Sequence, residues 1–229
     1  MKFEPLLGTA LSGKLGGIVA SHNAGGSYFR AYSIPTNPGS VQQEIVRQAT
    51  AQLANLWVNV LTAAQRDEWT AYSTAVGIPD ALGNPIFIPA MAMYVRSNVS
   101  RIQAGLPRVD SAPAILDLGE FTAPTIDAVD ATAEDADIGF EATDAWVDED
   151  DSAMLVYASR GQNPTINFFK GPYRFAAAIL GDSVTPPTSP ATIALPFAVV
   201  ATQRVFFRFS VTRADGRLSG SFRIRGTAA

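Results

Sequence analysis

The residues with the clearest chemical pattern lie near the N-terminus, where Gly8 to Lys14 read Gly-Thr-Ala-Leu-Ser-Gly-Lys. This stretch matches the first seven positions of a phosphate-binding P-loop, in which a Ser or Thr after the lysine ligates magnesium. Here Leu15 follows the lysine, and Gly16 and Gly17 lead into a β pattern, whereas a P-loop opens a helix that faces the phosphate. The sequence therefore predicts no nucleotide site.

Other catalytic and metal-binding patterns are equally weak. The 229 residues include no cysteine and one histidine, which excludes thiolate chemistry and multi-histidine metal sites. We interpret that histidine, His22, as an exposed polar residue beside a turn. The acidic run from Asp148 to Asp151 lacks the alternating ligands and central glycine of a calcium loop. We therefore expect a protein that is not an enzyme, with no catalytic residues, no cofactor and no metal site.

The composition limits the classes of partner. With 47% hydrophobic and 17% charged residues the chain is typical of a globular protein. A net charge of −4 gives no general reason to bind nucleic acid. No apolar run reaches the ~18–20 residues of a membrane span, and Glu4 and Pro5 interrupt the region where a signal peptide would be basic and then apolar. We expect synthesis in the cytoplasm, with neither nucleic acid nor membrane as a partner.

The first 38 residues are predicted to form a glycine-rich β arm. Two short β segments, Ile18–Ser21 and Tyr28–Tyr32, flank the turn signal from Asn23 to Gly26. Asn and Gly supply the positive φ angles that a hairpin turn needs. The many glycines leave the segment too few side chains for a core of its own, so it needs a partner surface.

Residues 39–112 are predicted to be a helical region of about three helices. The first helix begins near Ser40, a capping box from Thr62 to Gln65 opens the second, and the third runs from Pro89 to Gly105. The turn-rich stretch between the second and third helices is predicted to be a loop. The apolar face of the first helix is predicted at spacings of three and four, on Val41, Ile45, Ala49, Leu53, Leu56, Trp57 and Val60. That of the second is predicted on Trp69, Tyr72 and Val76.

Residues 113–229 change to the pattern of short strands separated by turns, which is typical of an immunoglobulin- or fibronectin-like β-sandwich. The overall fold class is therefore predicted to be α+β: a β-hairpin arm, a helical region and a C-terminal sandwich. Charge is segregated within the last part, since residues 117–151 hold thirteen acids and no base, and residues 160–225 hold nine bases and two acids. We expect facing strands to pair or solvate these charges; the alternative is an acidic surface for a basic partner.

Five elements of the N-terminal region form a recognisable set: Gly13–Gly17, Asn23–Gly26, Phe29-Arg30, Thr36–Pro38 and the stretch from Leu61 to Trp69. Together they resemble a segment of uncharacterised structural proteins of tailed bacteriophages and prophages. The resemblance covers the first third to half of the chain. It implies a component of the virion without fixing its place there.

The glycine-rich arm independently favours an assembly subunit, because ordering glycine is costly unless a neighbour supplies contacts. The candidate interface residues are Lys14, Gly16, Gly17, Tyr28, Phe29, Arg30 and Tyr32. We expect a homo-oligomeric cement or decoration protein of the capsid, with the major capsid protein or connector and tail proteins as partners. A head-to-tail or tail accessory protein is the nearest alternative. From another class, a carbohydrate-binding or carbohydrate-active protein would use the sandwich, where Trp146 is the single tryptophan.

The nucleotide interpretation can be tested directly. Because Leu15 removes the magnesium-binding hydroxyl and no helix is expected after Lys14, magnesium with ATP or GTP should leave the melting temperature unchanged. A thermal shift assay on the purified protein measures this. A rise of several degrees that disappears in Lys14→Ala would contradict the prediction.

Overall fold

The computed structural model describes residues 2–3, 12–23, 26–34, 36–37, 39–79 and 84–229. The chain divides into two compact units, Met1–Ser40 and Val41–Ala229, which are taken separately below. Within the described residues there are three helices and thirteen strands, and every strand pairing is antiparallel. The fold is therefore of the mixed α+β class.

The first unit is a four-stranded sheet. Its strands are β1 (Lys2–Phe3), β2 (Gly13–Leu15), β3 (Ile18–Asn23) and β4 (Gly26–Ala31), and their order across the sheet is β1-β4-β3-β2. The predicted hairpin is confirmed by the pairing of β3 with β4. The two residues that join these strands, 24 and 25, lie outside the described residues. The sequence did not predict β1 and β2, which widen the hairpin into a sheet.

The second unit begins with the helices α1 (Val41–Asn59), α2 (Ala63–Ala75) and α3 (Ala90–Gln103). The predicted capping box is confirmed. The Gln65 amide donates to Thr62 Oγ1 at 3.2 Å, and the Thr62 amide donates to Gln65 Oε1 at 3.0 Å. These reciprocal bonds satisfy two amides that a helix start otherwise leaves unpaired.

The ends of α3 follow the sequence with one shift. Pro89 occupies the N-cap of α3, one position before the first turn in which the sequence places it. Gly105 follows the C-cap with φ of 80°, a conformation that favours glycine after a helix. The predicted loop between α2 and α3 contains two short paired strands, β5 (Ile78–Pro79) and β6 (Pro85–Ile86); residues 80–83 lie outside the described residues.

Aromatic side chains from all three helices form the helical core. Trp69 and Tyr94 are fully buried and meet edge to face with ring centroids 5.5 Å apart, and the Trp57 ring lies 5.6 Å from Tyr94. Trp69 Nε1 donates to the Asp110 carbonyl at 2.8 Å. The prediction that Trp69 and Tyr72 belong to a core is confirmed, because both side chains are buried.

The predicted apolar face of α1 is only partly a core face. Ala49 and Leu53 are buried, but Val41, Ile45 and Val60 are 74%, 38% and 55% exposed. An α-helix rises 1.5 Å per residue, so α1 is about 28 Å long and its partner α3 about 21 Å. The longer helix extends beyond its partner, and its first two turns keep their apolar side chains in contact with solvent.

Seven strands follow the helices. In chain order they are β7 (Thr125–Asp130), β8 (Asp135–Gly139), β9 (Ala153–Ala158), β10 (Arg174–Leu180), β11 (Ala191–Ala194), β12 (Arg204–Thr212) and β13 (Phe222–Thr227). One sheet has the order β11-β8-β7 and the other the order β10-β9-β12-β13. Both sheets contribute to one core, with Val129 and Ile138 from the first and Val156, Phe207 and Phe209 from the second.

The buried side chain of Arg101 joins the helices to the sheets. Its guanidinium donates to the carbonyls of Pro107 at 2.7 Å, Asp151 at 3.0 Å and Arg213 at 2.5 Å. On α3, Arg96 donates to the Ser219 carbonyl at 2.9 Å. The residues from Val41 onward therefore form one compact unit with two separate apolar cores. Independent folding of the predicted domains 39–112 and 113–229 stays a prediction.

Replacing Arg101 should be strongly destabilising. Arg101→Leu removes the donor from three carbonyls at a partly buried site, and a buried carbonyl left without a donor costs about 1–3 kcal/mol. We expect the free energy of unfolding to fall by about 3 kcal/mol or more, measured by urea denaturation. The control is Arg108→Leu, which removes an exposed pair with Asp110 and should cost less than about 1 kcal/mol. Equal losses in the two variants would contradict the assigned role of Arg101.

Candidate assembly interface on the N-terminal sheet

A two-residue turn fixes the register of the N-terminal sheet. Leu15 pairs directly with Ile18, so Gly16 and Gly17 form the whole connection between β2 and β3. Gly16 occupies the first central position of this turn, where its φ of 56° favours glycine. The Tyr32 amide donates to the Gly17 carbonyl at 2.8 Å and closes the turn against the end of β4.

This register sorts the side chains into two faces, because successive residues of a strand point to opposite sides. Leu15, Ile18 and Ala31 are aligned across three strands, and Ala20 is aligned with Phe29. These five residues are called the apolar face. Leu15 and Ile18 are 86% and 52% exposed. A hollow of about 760 Å³ lies against the apolar face.

The opposite side of the sheet is called the polar face. It carries Lys14, Val19 and Arg30, which are aligned across β2, β3 and β4, and also Ser21 and Tyr28. Residues 12–40 contain no Asp or Glu, so the two cations have no acidic neighbour in this segment. Lys14 Nζ lies 3.6 Å from the centre of the Tyr32 ring, within the range of a cation–π interaction. The face is therefore basic.

None of the residues 12–21, 27–34, 36–37 and 39–40 is buried. A sheet is normally stabilised by covering at least one face, and a lone hairpin is marginal in water. The apolar face is therefore a candidate contact surface.

The structure distributes the seven predicted interface residues over three places. Gly16 and Gly17 form the β2–β3 turn, and Phe29 lies on the apolar face. The remaining four, Lys14, Tyr28, Arg30 and Tyr32, lie on or beside the polar face.

Sequence reasoning missed Leu15 and Ile18, which are the most exposed large side chains of the apolar face. A two-residue turn at Gly16 and Gly17, read from the sequence, would have paired Leu15 with Ile18 and found them.

The context predicted for the P-loop-like stretch is confirmed where it is described. Lys14 lies within β2, and a turn and another strand follow it in place of a helix. Residues 8–11 of the pattern lie outside the described residues. Among the residues that the structure describes, no group of three or more His, Cys, Asp or Glu side chains is placed to hold a metal ion. In the same residues, none of the helices combines the length and apolar character needed to cross a bilayer.

Comparison of the chain with models of protein families, with curated proteins and with solved structures finds no match. The most exposed large apolar side chains of the N-terminal sheet, Leu15 and Ile18, lie together on the apolar face.

Proposed function

We propose that this protein is a non-enzymatic structural component of a tailed-phage virion, namely a capsid-associated cement or decoration protein anchored by its N-terminal sheet. The observation that carries the proposal is the exposed apolar face on a sheet without buried residues among those described. Such a sheet gains stability when another protein covers it. The resemblance of the N-terminal segment to structural proteins of tailed phages supports a phage particle as the source of the covering surface.

The energetics favour anchoring by the apolar face. Complete burial of a Leu or Ile side chain contributes about 1.5–3 kcal/mol, so Leu15 and Ile18 alone provide a substantial driving force for docking. Phe29 lies on the same face and adds an aromatic anchor. Tyr28 and Arg30 on the polar face are suited to the rim of the contact, where aromatic and arginine side chains bind strongly. The partner is the major capsid protein or a connector or tail protein.

The seven strands after the helices are proposed to form a fibronectin-like sandwich. We rename β7, β8, β9 and β10 as A, B, C and C′, and β11, β12 and β13 as E, F and G. With these names the two sheets read A-B-E and C′-C-F-G. In an immunoglobulin constant domain the fourth strand joins the A-B-E sheet. Here β10 pairs with β9 instead, which favours the fibronectin arrangement.

The carbohydrate-binding alternative loses the residue that supported it. Trp146 is 1% exposed and packs against Phe140 with ring centroids 5.2 Å apart. A buried ring offers no surface on which a sugar could stack. The structure gives Trp146 a place in the core of the sheets.

Quantitative mass spectrometry of purified phage particles tests the proposed class and location. We expect the protein at hundreds of copies per particle, as a subunit distributed over a shell requires. A dozen copies or fewer would support a connector or tail protein instead. Absence from the particles would overturn the virion proposal.

The anchoring role is tested by two variants matched in charge. Leu15→Asp combined with Ile18→Asp places two charges on the apolar face and should lower incorporation into particles by at least about tenfold. The control, Val19→Asp with Ser21→Asp, places the same charges on the polar face and should lower incorporation less. Deletion of residues 1–34 should abolish incorporation while the circular dichroism of the helices and sheets is retained. Normal incorporation of the truncated protein would refute anchoring by this sheet.

A further inference from the structure

The two sheets of the second unit carry opposite charges. Strands β9, β10, β12 and β13 contain five arginines and no acid, whereas β7, β8 and β11 contain four aspartates and no base. Among the described residues, ion pairs between the acidic stretch 117–151 and the basic stretch 160–225 form at the turn after β12. There Arg213 contacts Glu149, and Arg217 contacts Asp117 at 2.7 Å. The charged side chains of the strands make no such pair in the described ranges, and those of Arg204 and Arg208 are half-buried.

Four arginines form the outer face of the four-stranded sheet. Val205, Phe207 and Phe209 of β12 point into the core, so the alternate residues Arg204 and Arg208 point outward. The register aligns Arg208 with Arg223 and places Arg225 beside Phe206 on the same side. The set Arg204, Arg208, Arg223 and Arg225 is called the basic face. Within the described ranges no carboxylate lies within 4.0 Å of any of them.

Aromatic side chains and an amide hold the basic face in place. The Arg208 guanidinium carbon lies 4.3 Å from the centre of the Tyr157 ring. Asn167 Oδ1 accepts from Arg204 Nη1 at 2.6 Å and from Arg225 Nη1 at 2.8 Å. Beside these arginines a hollow of about 300 Å³ is lined by aromatic residues including Phe168, which is 73% exposed. Arginine and exposed aromatic residues together are typical of protein contact surfaces.

Four aspartates form the outer face of the other sheet. Ala136 and Ile138 of β8 point into the core, so Asp135 and Asp137 point outward. On the neighbouring strand β7, Asp130 lies directly opposite Asp135. The fourth member is Asp127. A Cβ atom at Gly139 would collide with Thr125 Oγ1 and the Asp127 carboxylate, which places that carboxylate over the same face. The set Asp127, Asp130, Asp135 and Asp137 is called the acidic face.

Each face contains a pair of like charges at directly opposed positions. Arg208 is directly opposite Arg223, and Asp130 is directly opposite Asp135. Like charges at directly opposed positions of neighbouring strands repel each other and destabilise a sheet. An aromatic ring beside Arg208 and two backbone amides that donate to Asp130 offset part of this repulsion. A surface of opposite charge would relieve the rest.

We propose that the basic face of one molecule docks on the acidic face of a second copy of the same chain. The two faces lie on opposite sides of a shared core, so one molecule can bind a neighbour on each side. Such a contact is heterologous, and repeating it produces rings or open rows of subunits. Four arginines meet four aspartates in this arrangement, and the inference stands independently of the role proposed for the N-terminal sheet.

A second copy fits the basic face better than nucleic acid does. The chain has a net charge of −4, and the acidic face of the same unit repels a phosphate backbone that extends past it. A second copy instead brings together two faces of opposite sign. Charge thus favours a protein partner that every molecule already provides.

The expected contact is small and sensitive to salt. The outward-facing Ala153 and Leu155 of β9 are fully buried, so the basic face is confined to β12 and β13. The contact is therefore well below the ~800 Å² per partner of a standard interface, and association should be weak in dilute solution and stronger where subunits are held close together. Because the charges are exposed, the contact should weaken as the Debye length falls to about 3 Å in 1 M salt.

Sedimentation velocity on the full-length protein tests the proposal. The mean mass should rise with concentration at low salt, and the association constant should fall by at least about tenfold in 1 M salt. Two variants invert two charges on one face each: Arg223→Glu with Arg225→Glu, and Asp135→Lys with Asp137→Lys. Each variant alone should associate at least about tenfold more weakly than the unaltered protein, because the changed face then has no net charge. An equimolar mixture should form pairs, since the unaltered basic face of one variant can meet the unaltered acidic face of the other.

Controls separate this contact from other effects. Glu44→Lys with Asp67→Lys makes the same charge change as Asp135→Lys with Asp137→Lys, but on the helices. This control should associate as the unaltered protein does. Leu15→Asp with Ile18→Asp should also associate normally, which distinguishes this contact from anchoring by the N-terminal sheet. Circular dichroism checks that every variant is folded, and Arg223→Gln with Arg225→Gln provides a milder change that should also weaken association.

Three outcomes would overturn the proposal. The first is an unaltered protein that stays monomeric at all concentrations in low salt. The second is association that the face variants do not weaken, or a mixture of the two inverted variants that fails to associate. The third is a monomeric protein whose basic face binds a single-stranded DNA oligonucleotide and loses that binding in Arg223→Glu with Arg225→Glu, which would assign the face to nucleic acid.

Discussion

The alternation of side chains along a β-strand is the constraint on which most of this structure depends. Once pairing fixes the register, each residue of a sheet is assigned to one face or the other. In the N-terminal sheet the turn at Gly16 aligns Leu15 with Ile18 and gathers apolar side chains on one side. In the second unit the same rule directs Phe207 and Phe209 inward and leaves Arg208 outside. What each sheet buries and what it displays follow from register.

The second unit also needs a connection between helices and sheets, and polar groups provide it. The apolar cores of the two parts are separate, so the hydrophobic effect stabilises each without fixing one against the other. Arg101 bridges the gap because its guanidinium reaches carbonyls from three separate parts of the chain. A buried arginine that satisfies several carbonyls is directional, whereas apolar packing is not. Directional bonds therefore define how the two parts meet.

Features set by neighbouring residues could be predicted from the sequence. The capping box at Thr62, the glycine that follows α3 and the hairpin of β3 and β4 depend on local conformation, and all three are confirmed. The predicted apolar face of the first helix is only partly confirmed. Periodicity identifies an apolar face but not the element that covers it. Val41 is exposed because α1 is longer than the helix that packs against it. The four-residue strand β11 was not predicted, because its sequence is short and lies among proline-rich turns.

The charged faces show why the candidate surfaces needed the structure. The sequence displays an acidic stretch followed by a basic one, but both interpretations of that pattern, internal pairing and an outward surface, were open. Only the register places Asp130 opposite Asp135 and Arg208 opposite Arg223. Pairing partners that are distant along the chain, such as β12 and β9, cannot be deduced from local signals.

The two proposed contacts would act over different distances, and this difference gives them an order. Attraction between charged faces extends about 8 Å at physiological salt, whereas apolar side chains contribute only when they touch and exclude water. In an assembling particle, the basic and acidic faces would orient neighbouring molecules before their N-terminal sheets reach a partner. Burial of Leu15 and Ile18 would then hold the oriented subunit. A contact that is weak and reversible would let a misplaced subunit leave before the apolar contact forms. The proposed charged contact would then contribute accuracy and the proposed apolar contact strength.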